Sequence, residues 1–219
     1  MRAPAALLLA VFMLLAGGCS SLQTASVRMM RDAVAGPPGV DDARVLDSAL
    51  PYAQIRLDSP FGVRRLVLGS ADGDRLRWYG PDGDQYLFEH GLLRQTVGLP
   101  VNLDASRWLT TDPLAAGLGA ITAPTTLQLT VDLSPGYRYG VQVNLTLQPA
   151  GEETLTILGQ THRVKRIDAT VNAPGLGWHA TDRFWVGVAD GRVWKSTQTL
   201  PGGATYTFTV LRPFEGAAP

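Results

Sequence analysis

The chain has 219 residues, with 19 basic and 19 acidic side chains and a single cysteine. That length allows one domain with a substantial core, or at most two small ones. Balanced charge without a basic run offers no footprint for nucleic acid, and one cysteine cannot close an internal disulfide.

The N-terminal segment reads as an address. Met1-Arg2 precedes a run from Ala5 to Ala16 that holds no polar residue and ends in Gly17-Gly18-Cys19. A basic start, a short apolar stretch and small residues before a cut site describe a secretory signal. The stretch is shorter than the ~20 apolar residues a spanning helix needs. Leu14-Leu15-Ala16-Gly17-Gly18-Cys19 resembles the lipobox of bacterial lipoproteins, with Ala16 where Leu is usual. The resemblance implies cleavage after Gly18 and acyl chains on the sulfur and new amine of Cys19. Each buried CH₂ contributes ~0.8 kcal/mol, so two or more chains anchor stably. Ser20 follows the cysteine where Asp would signal retention, which by resemblance to lipoprotein sorting points to the periplasmic face of the outer membrane. No cofactor is expected other than this covalent lipid. Arg2 is the only charged side chain of residues 1–18, so the mature chain would carry one net negative charge.

Residues 19–50 read as a lipidated tether. Val27, Met30 and Val34 lie at helical spacing within Ser26 to Val34, and Ala35-Gly36-Pro37-Pro38-Gly39 ends that pattern. A flexible tether of ~30 residues reaches roughly 30 Å.

From residue 51 to residue 215 a single β-rich domain is expected, followed by a tail at 216–219. The pattern there has period two. Leu127, Leu129, Val131 and Leu133 alternate with Gln128, Thr130 and Asp132. Tyr137, Tyr139, Val141, Val143, Leu145 and Leu147 share one face, opposite Arg138, Gln142, Asn144, Thr146 and Gln148. Tyr206, Phe208 and Val210 alternate with Thr205, Thr207 and Thr209. Such alternation marks antiparallel strands with one buried face. Asp72-Gly73, Asp82-Gly83 and Asp190-Gly191 sit between strand-like runs as hairpin signals. The expected fold is all-β, a barrel or barrel-like sandwich of about eleven or twelve antiparallel strands, because so long a sheet must close or split. Outside the tether, only Asp112 to Leu118 carries a helical pattern.

Two segments go beyond a strand pattern. The first runs from Leu50-Pro51-Tyr52 to Gly91-Leu92-Leu93-Arg94-Gln95-Thr96-Val97-Gly98-Leu99-Pro100-Val101-Asn102-Leu103. The second holds Asp182-Arg183-Phe184-Trp185-Val186, Gly191-Arg192-Val193-Trp194-Lys195-Ser196-Thr197-Gln198 and Val210-Leu211-Arg212-Pro213. Together they resemble the YjbF (also called GfcB or YmcC) lipoproteins of exopolysaccharide and group 4 capsule gene clusters. The resemblance implies a barrel-like domain at the outer membrane with an accessory part in making or exporting a surface polysaccharide. It implies as partners a large outer-membrane β-barrel protein and a periplasmic protein, with the polysaccharide itself a further candidate. The family offers no catalytic residues to carry over.

The side chains agree with a binding protein. Most Asp residues sit at turns; Glu89 and Asp112 are the acids left for a glycan-cleaving pair, which would need two carboxylates ~5–10 Å apart. His90, His162 and His179 lack zinc-site spacing, and no metal site is expected. Sugars stack on exposed indoles; Trp78, Trp185 and Trp194 fall within strand patterns and read as core, whereas Trp178 lies beside a loop and reads as exposed. Trp178, Arg94 and Lys195 are therefore the candidate glycan or partner contacts. The other functions open to such a chain are a glycan-modifying enzyme and a lipid or lipoprotein carrier with an apolar cavity.

Overall fold

The computed structural model describes residues 52–216. Cys19, the signal segment, the tether and the last three residues lie outside the described residues. Twelve strands follow one another: β1 (Gln54–Ser59), β2 (Gly62–Asp72), β3 (Arg75–Tyr79), β4 (Gln85–Glu89), β5 (Leu92–Val97), β6 (Asn102–Trp108), β7 (Thr125–Ser134), β8 (Arg138–Ile157), β9 (Gln160–Ala173), β10 (Trp178–Gly187), β11 (Val193–Thr199) and β12 (Thr205–Arg212). Every pairing is antiparallel, in the order β5-β4-β3-β2-β1-β12-β11-β10-β9-β8-β7-β6. The fold is thus an all-β, twelve-stranded, nearly closed barrel. No helix among the described residues is long and apolar enough to cross a membrane.

The topology has one unusual feature. A meander usually closes by joining its first and last strands, and here β1 and β12 do pair, from Gln54↔Arg212 to Asp58↔Thr207. The break falls instead between β5 and β6, two strands consecutive in sequence and joined only by residues 98–101.

The alternation read from sequence decides what faces inward. Leu57, Leu66, Leu147 and Ile167 are fully enclosed, each contributing roughly 1.5–3 kcal/mol by leaving water. Aromatic rings fill the remaining interior: Phe88 meets Phe208 edge-on at 4.9 Å, and Tyr86 meets Phe208 at 5.6 Å. The three Asp-Gly pairs close the β2–β3, β3–β4 and β10–β11 connections, with Gly73, Gly83 and Gly191 at φ of 55°, 84° and 66°. β8 and β9 run past the barrel, and Ile157 and Leu211 form a second small cluster with Trp194 packed against it.

Four expectations are corrected. Asp112 to Leu118 forms turns, with a short 3-10 segment at Leu118–Ala120, and no α-helix. Its apolar residues Leu114, Leu118 and Ile121 are nonetheless buried against the core, so their spacing reflects contact with the barrel rather than a helical face. Tyr137 and Tyr139 leave the buried face of Val143, Leu145 and Leu147: they are 82% and 65% exposed at the β7–β8 hairpin tip, where Gly136 and Tyr137 take positive φ. Trp78 is core, but Trp185 and Trp194 lie outside the main cluster. Trp178 is half-buried against the core, its indole N–H enclosed, because it is the first residue of β10, already paired with the buried Ala173 of β9.

Candidate functional site

The β5–β6 seam is held by side chains where a ladder would run. The Leu103 N–H donates to Thr96 Oγ1 at 2.9 Å, and Gln95 Nε2 donates to the Asp104 carbonyl at 2.9 Å. Ser106 Oγ donates to the Arg94 carbonyl at 3.0 Å, and Arg94 Nη2 donates to the Ser106 carbonyl at 3.2 Å. These contacts satisfy backbone groups of both edges that would otherwise be costly to bury.

Arg94 is the centre of the seam. It is 7% exposed and lies at the β4–β5 bulge opposite Leu87/Phe88, facing β6. Its guanidinium lies over the Trp108 ring at 4.4 Å, and Nε is 3.2 Å from Glu89 Oε2. Nη1 has no hydrogen-bond partner among the described residues. Burial lowers the Arg94 pKa, and the charges of Glu89 and Asp112 work against that shift.

A groove of about 300 Å³ opens on the outer side of this seam. Leu87, Ala105 and Ser106 line it together with Arg75, Arg94 and Arg107, and the acids Glu89 and Asp104. Glu89 also lies 3.8 Å from Arg75 Nε. The β7–β8 hairpin is tied to the groove at two points. Ser134 Oγ donates to Asp104 Oδ1 at 2.6 Å. Asp132 receives the Gly140 N–H at 2.8 Å and Arg107 Nη1 at 2.7 Å. Those two donors hold the Asp132 carboxyl below the usual range.

Next to Glu89 in the chain, His90 joins two acids, with Nδ1 3.1 Å from Asp74 Oδ2 and Nε2 2.8 Å from Asp112 Oδ2. Burial acts to raise the Asp112 pKa, but the Leu114 N–H and His90 outweigh it and hold the carboxyl down. Lys165 adds a second fastening to this loop, donating to the Gly119 and Ile121 carbonyls. Asp112 is therefore a fastening of the β6–β7 loop, and Glu89 is held by two arginines.

The remaining candidates lie apart from the groove. Lys195 sits over the Trp185 ring at 4.9 Å, and Trp185 Nε1 donates to Glu153. A second hollow of about 330 Å³ lies between Thr161, Val188 and Trp194, whose ring stacks on His162 at 3.8 Å. Among the described residues no group of three His, Cys, Asp or Glu could hold a metal ion. Sequence reasoning missed Arg75, Arg107, Tyr137 and Tyr139. Pro135-Gly136 marks a turn, and that signal would have moved the tyrosines to a hairpin tip.

The family model described as "Group 4 capsule polysaccharide lipoprotein gfcB, YjbF" matches residues 29–211. The chain belongs to the YjbF family. It is 28% identical over 211 residues to the "uncharacterized lipoprotein GfcB" of Escherichia coli K12, covering 94% of this chain and 98% of that one. The crystal structure of the hypothetical lipoprotein YmcC from the same organism superposes with a TM-score of 0.68 at 28% identity, covering 76% of this chain and 90% of that one.

The fold explains why the two YjbF-like segments go together. Gln198 of β11 reaches across the interior to the start of β5, accepting the Leu93 N–H at 2.9 Å and donating to the Gly91 carbonyl at 3.1 Å. It also donates to Ser196 Oγ at 3.0 Å. Gly91 itself abuts Val193: a Cβ there would lie 2.4 Å from Val193 Cγ2. The segments of this YjbF barrel thus meet inside it and fix where β5 lies, and β5 forms one wall of the groove.

Proposed function

We propose that this protein is a lipoprotein anchored through Cys19 to the periplasmic face of the outer membrane, with an accessory binding role in capsule or exopolysaccharide production and export. The observation that carries the reading is the YjbF family match across residues 29–211, and the lipobox resemblance ending in Cys19 supplies the anchor. The role is one of holding partners: an outer-membrane β-barrel protein and a periplasmic protein of the same system, with polysaccharide as a third. No catalytic step and no cofactor beyond the lipid enter the proposal. A carrier would need an apolar cavity inside the barrel, and that interior is occupied by Tyr86, Phe88, Phe184, Tyr206 and Phe208. The seam groove is on the outside, where a scaffold's contacts belong.

Deletion of the gene should lower surface polysaccharide, and the wild-type gene supplied in trans should restore it. Cys19→Ala should leave the chain uncleaved or released from membranes, and should fail to restore the polysaccharide. Undiminished polysaccharide in the deletion strain would remove the process from the proposal. A Cys19→Ala chain that still fractionates with the outer membrane would remove the anchor.

A further inference from the structure

Three arginines reach the seam groove from three strands: Arg75 on β3, Arg94 on β5 and Arg107 on β6. Arg94 is more than nine-tenths buried, and its Nη1 lacks a partner. Arg94 is already paired with Glu89 and the Ser106 carbonyl, so what is left unsatisfied is the single enclosed Nη1 group. A buried donor without a partner is costly, and a fork of N–H groups matches a carboxylate in geometry. Arg75 and Arg107, with side chains 57% and 64% exposed, flank it from the solvent side.

The groove also presents acceptors. Glu89 is held by Arg94 and Arg75, and Asp104 by Ser134, so both acids are fixed in place with lone pairs to spare. A simple anion would be repelled by them. A sugar acid would use them, because its hydroxyls need acceptors while its carboxylate needs donors. On the hairpin tied to Asp104 and Arg107 stand Tyr137 and Tyr139, with ring centroids 6.5 Å apart. Tyr137 holds φ of 52°, a backbone conformation that non-glycine residues rarely take. The hairpin is braced by Asp132 on the Gly140 N–H. Two exposed aromatic faces on a braced hairpin are what a pyranose ring stacks on.

We infer that the β5–β6 groove binds a carboxylate-bearing saccharide, with the acid group among Arg75, Arg94 and Arg107 and a neighbouring ring on Tyr137 or Tyr139. The inference rests on the polysaccharide reading for its ligand class.

The test uses the full chain in detergent and two probes titrated calorimetrically: a galacturonic acid oligomer and a neutral galactose oligomer of equal length. The acidic oligomer should bind at least about tenfold more tightly, and the preference should weaken as salt is raised. Arg75→Ala with Arg107→Ala should lose about tenfold or more in affinity for the acidic oligomer, with the circular dichroism spectrum unchanged. Tyr137→Ala with Tyr139→Ala should weaken both oligomers by several-fold. Equal binding of the two oligomers by the wild type, binding of neither, or arginine variants that bind as the wild type does would overturn the inference. If the deletion strain lacks polysaccharide while the arginine variants bind unchanged, the process stands and this site falls.

Discussion

Asp182 gives the sharpest quantitative prediction. It lies on the inward side of β10, and Oδ1 accepts the Thr199 N–H at 2.8 Å. Burial pushes its carboxyl up from 3.8 to about 7, against the opposing effect of its hydrogen bonds to Thr199. The folded barrel therefore holds this proton more tightly than the unfolded chain does. Its contribution is fully present below pH ~4 and is lost as the pH rises through ~7. At ~1.4 kcal/mol per unit, the loss between pH 5 and pH 8 is on the order of 3 kcal/mol. For a domain of this size that is ~6–12 °C in Tm. Asp182→Asn keeps the acceptor for Thr199 and carries no charge at any pH. Thermal melts of wild type and variant at pH 5 and pH 8 should show the variant gaining ~6–12 °C on the wild type at the higher pH. Taking the difference between the two proteins cancels other groups that titrate in this window. Asp112 and Asp132, with lowered pKa values, contribute stability that disappears only as the pH falls below ~4. Parallel curves for the two proteins would refute the buried, proton-holding role of Asp182.

The seam and the interior yield two further predictions. Thr96→Val removes the acceptor of the buried Leu103 N–H and should cost ~1–3 kcal/mol, with hydrogen exchange by mass spectrometry accelerating in β6 before β8; exchange unchanged in β6 would show that the side-chain bridges do not hold the seam. Gly91→Ala combines φ of +83° with a Cβ 2.4 Å from Val193 Cγ2, whereas Gly73→Ala meets φ of +55° in open space. The first should lower the denaturation midpoint by well over the ~1 kcal/mol expected of the second, and equal losses would remove the packing argument.

Much of the barrel was legible because the alternation is regular where both neighbours are ordinary strands. β7 and the middle of β8 bury Leu127, Leu129, Val131, Val143, Leu145 and Leu147 as read. The reading failed where the backbone departs from a regular pleat. Arg94 lies at a bulge and faces the seam, and period two carries no information across a bulge. At Tyr137 and Tyr139 a turn interrupts the alternation. Trp185 and Trp194 are aromatic and strand-borne, yet Trp185 lies under Lys195 and Trp194 packs between His162 and the small Ile157/Leu211 cluster, away from the main core; residue type alone does not say which face a position takes. The groove was invisible for a different reason. Arg75, Arg94 and Arg107 come from three strands, and only the barrel's curvature brings them together.

The break between β5 and β6 follows from the same residues that build the groove. Residues 98–101 could have closed an ordinary hairpin, but Pro100 has no N–H to give to a ladder. Leu99 bonds instead to Asn102 Oδ1 at 3.0 Å. Arg94 and Trp108, stacked on one another, then occupy the space between the strands, and the bulges at Leu87/Phe88 and Leu103/Ala105 bend both edges around them. The Arg94 guanidinium donates to the Ser106 carbonyl where a ladder N–H would otherwise reach it. Replacing Arg94 would alter the wall itself, whereas Arg75 and Arg107 are exposed at its rim, with Arg107 also holding Asp132 of the β7–β8 hairpin.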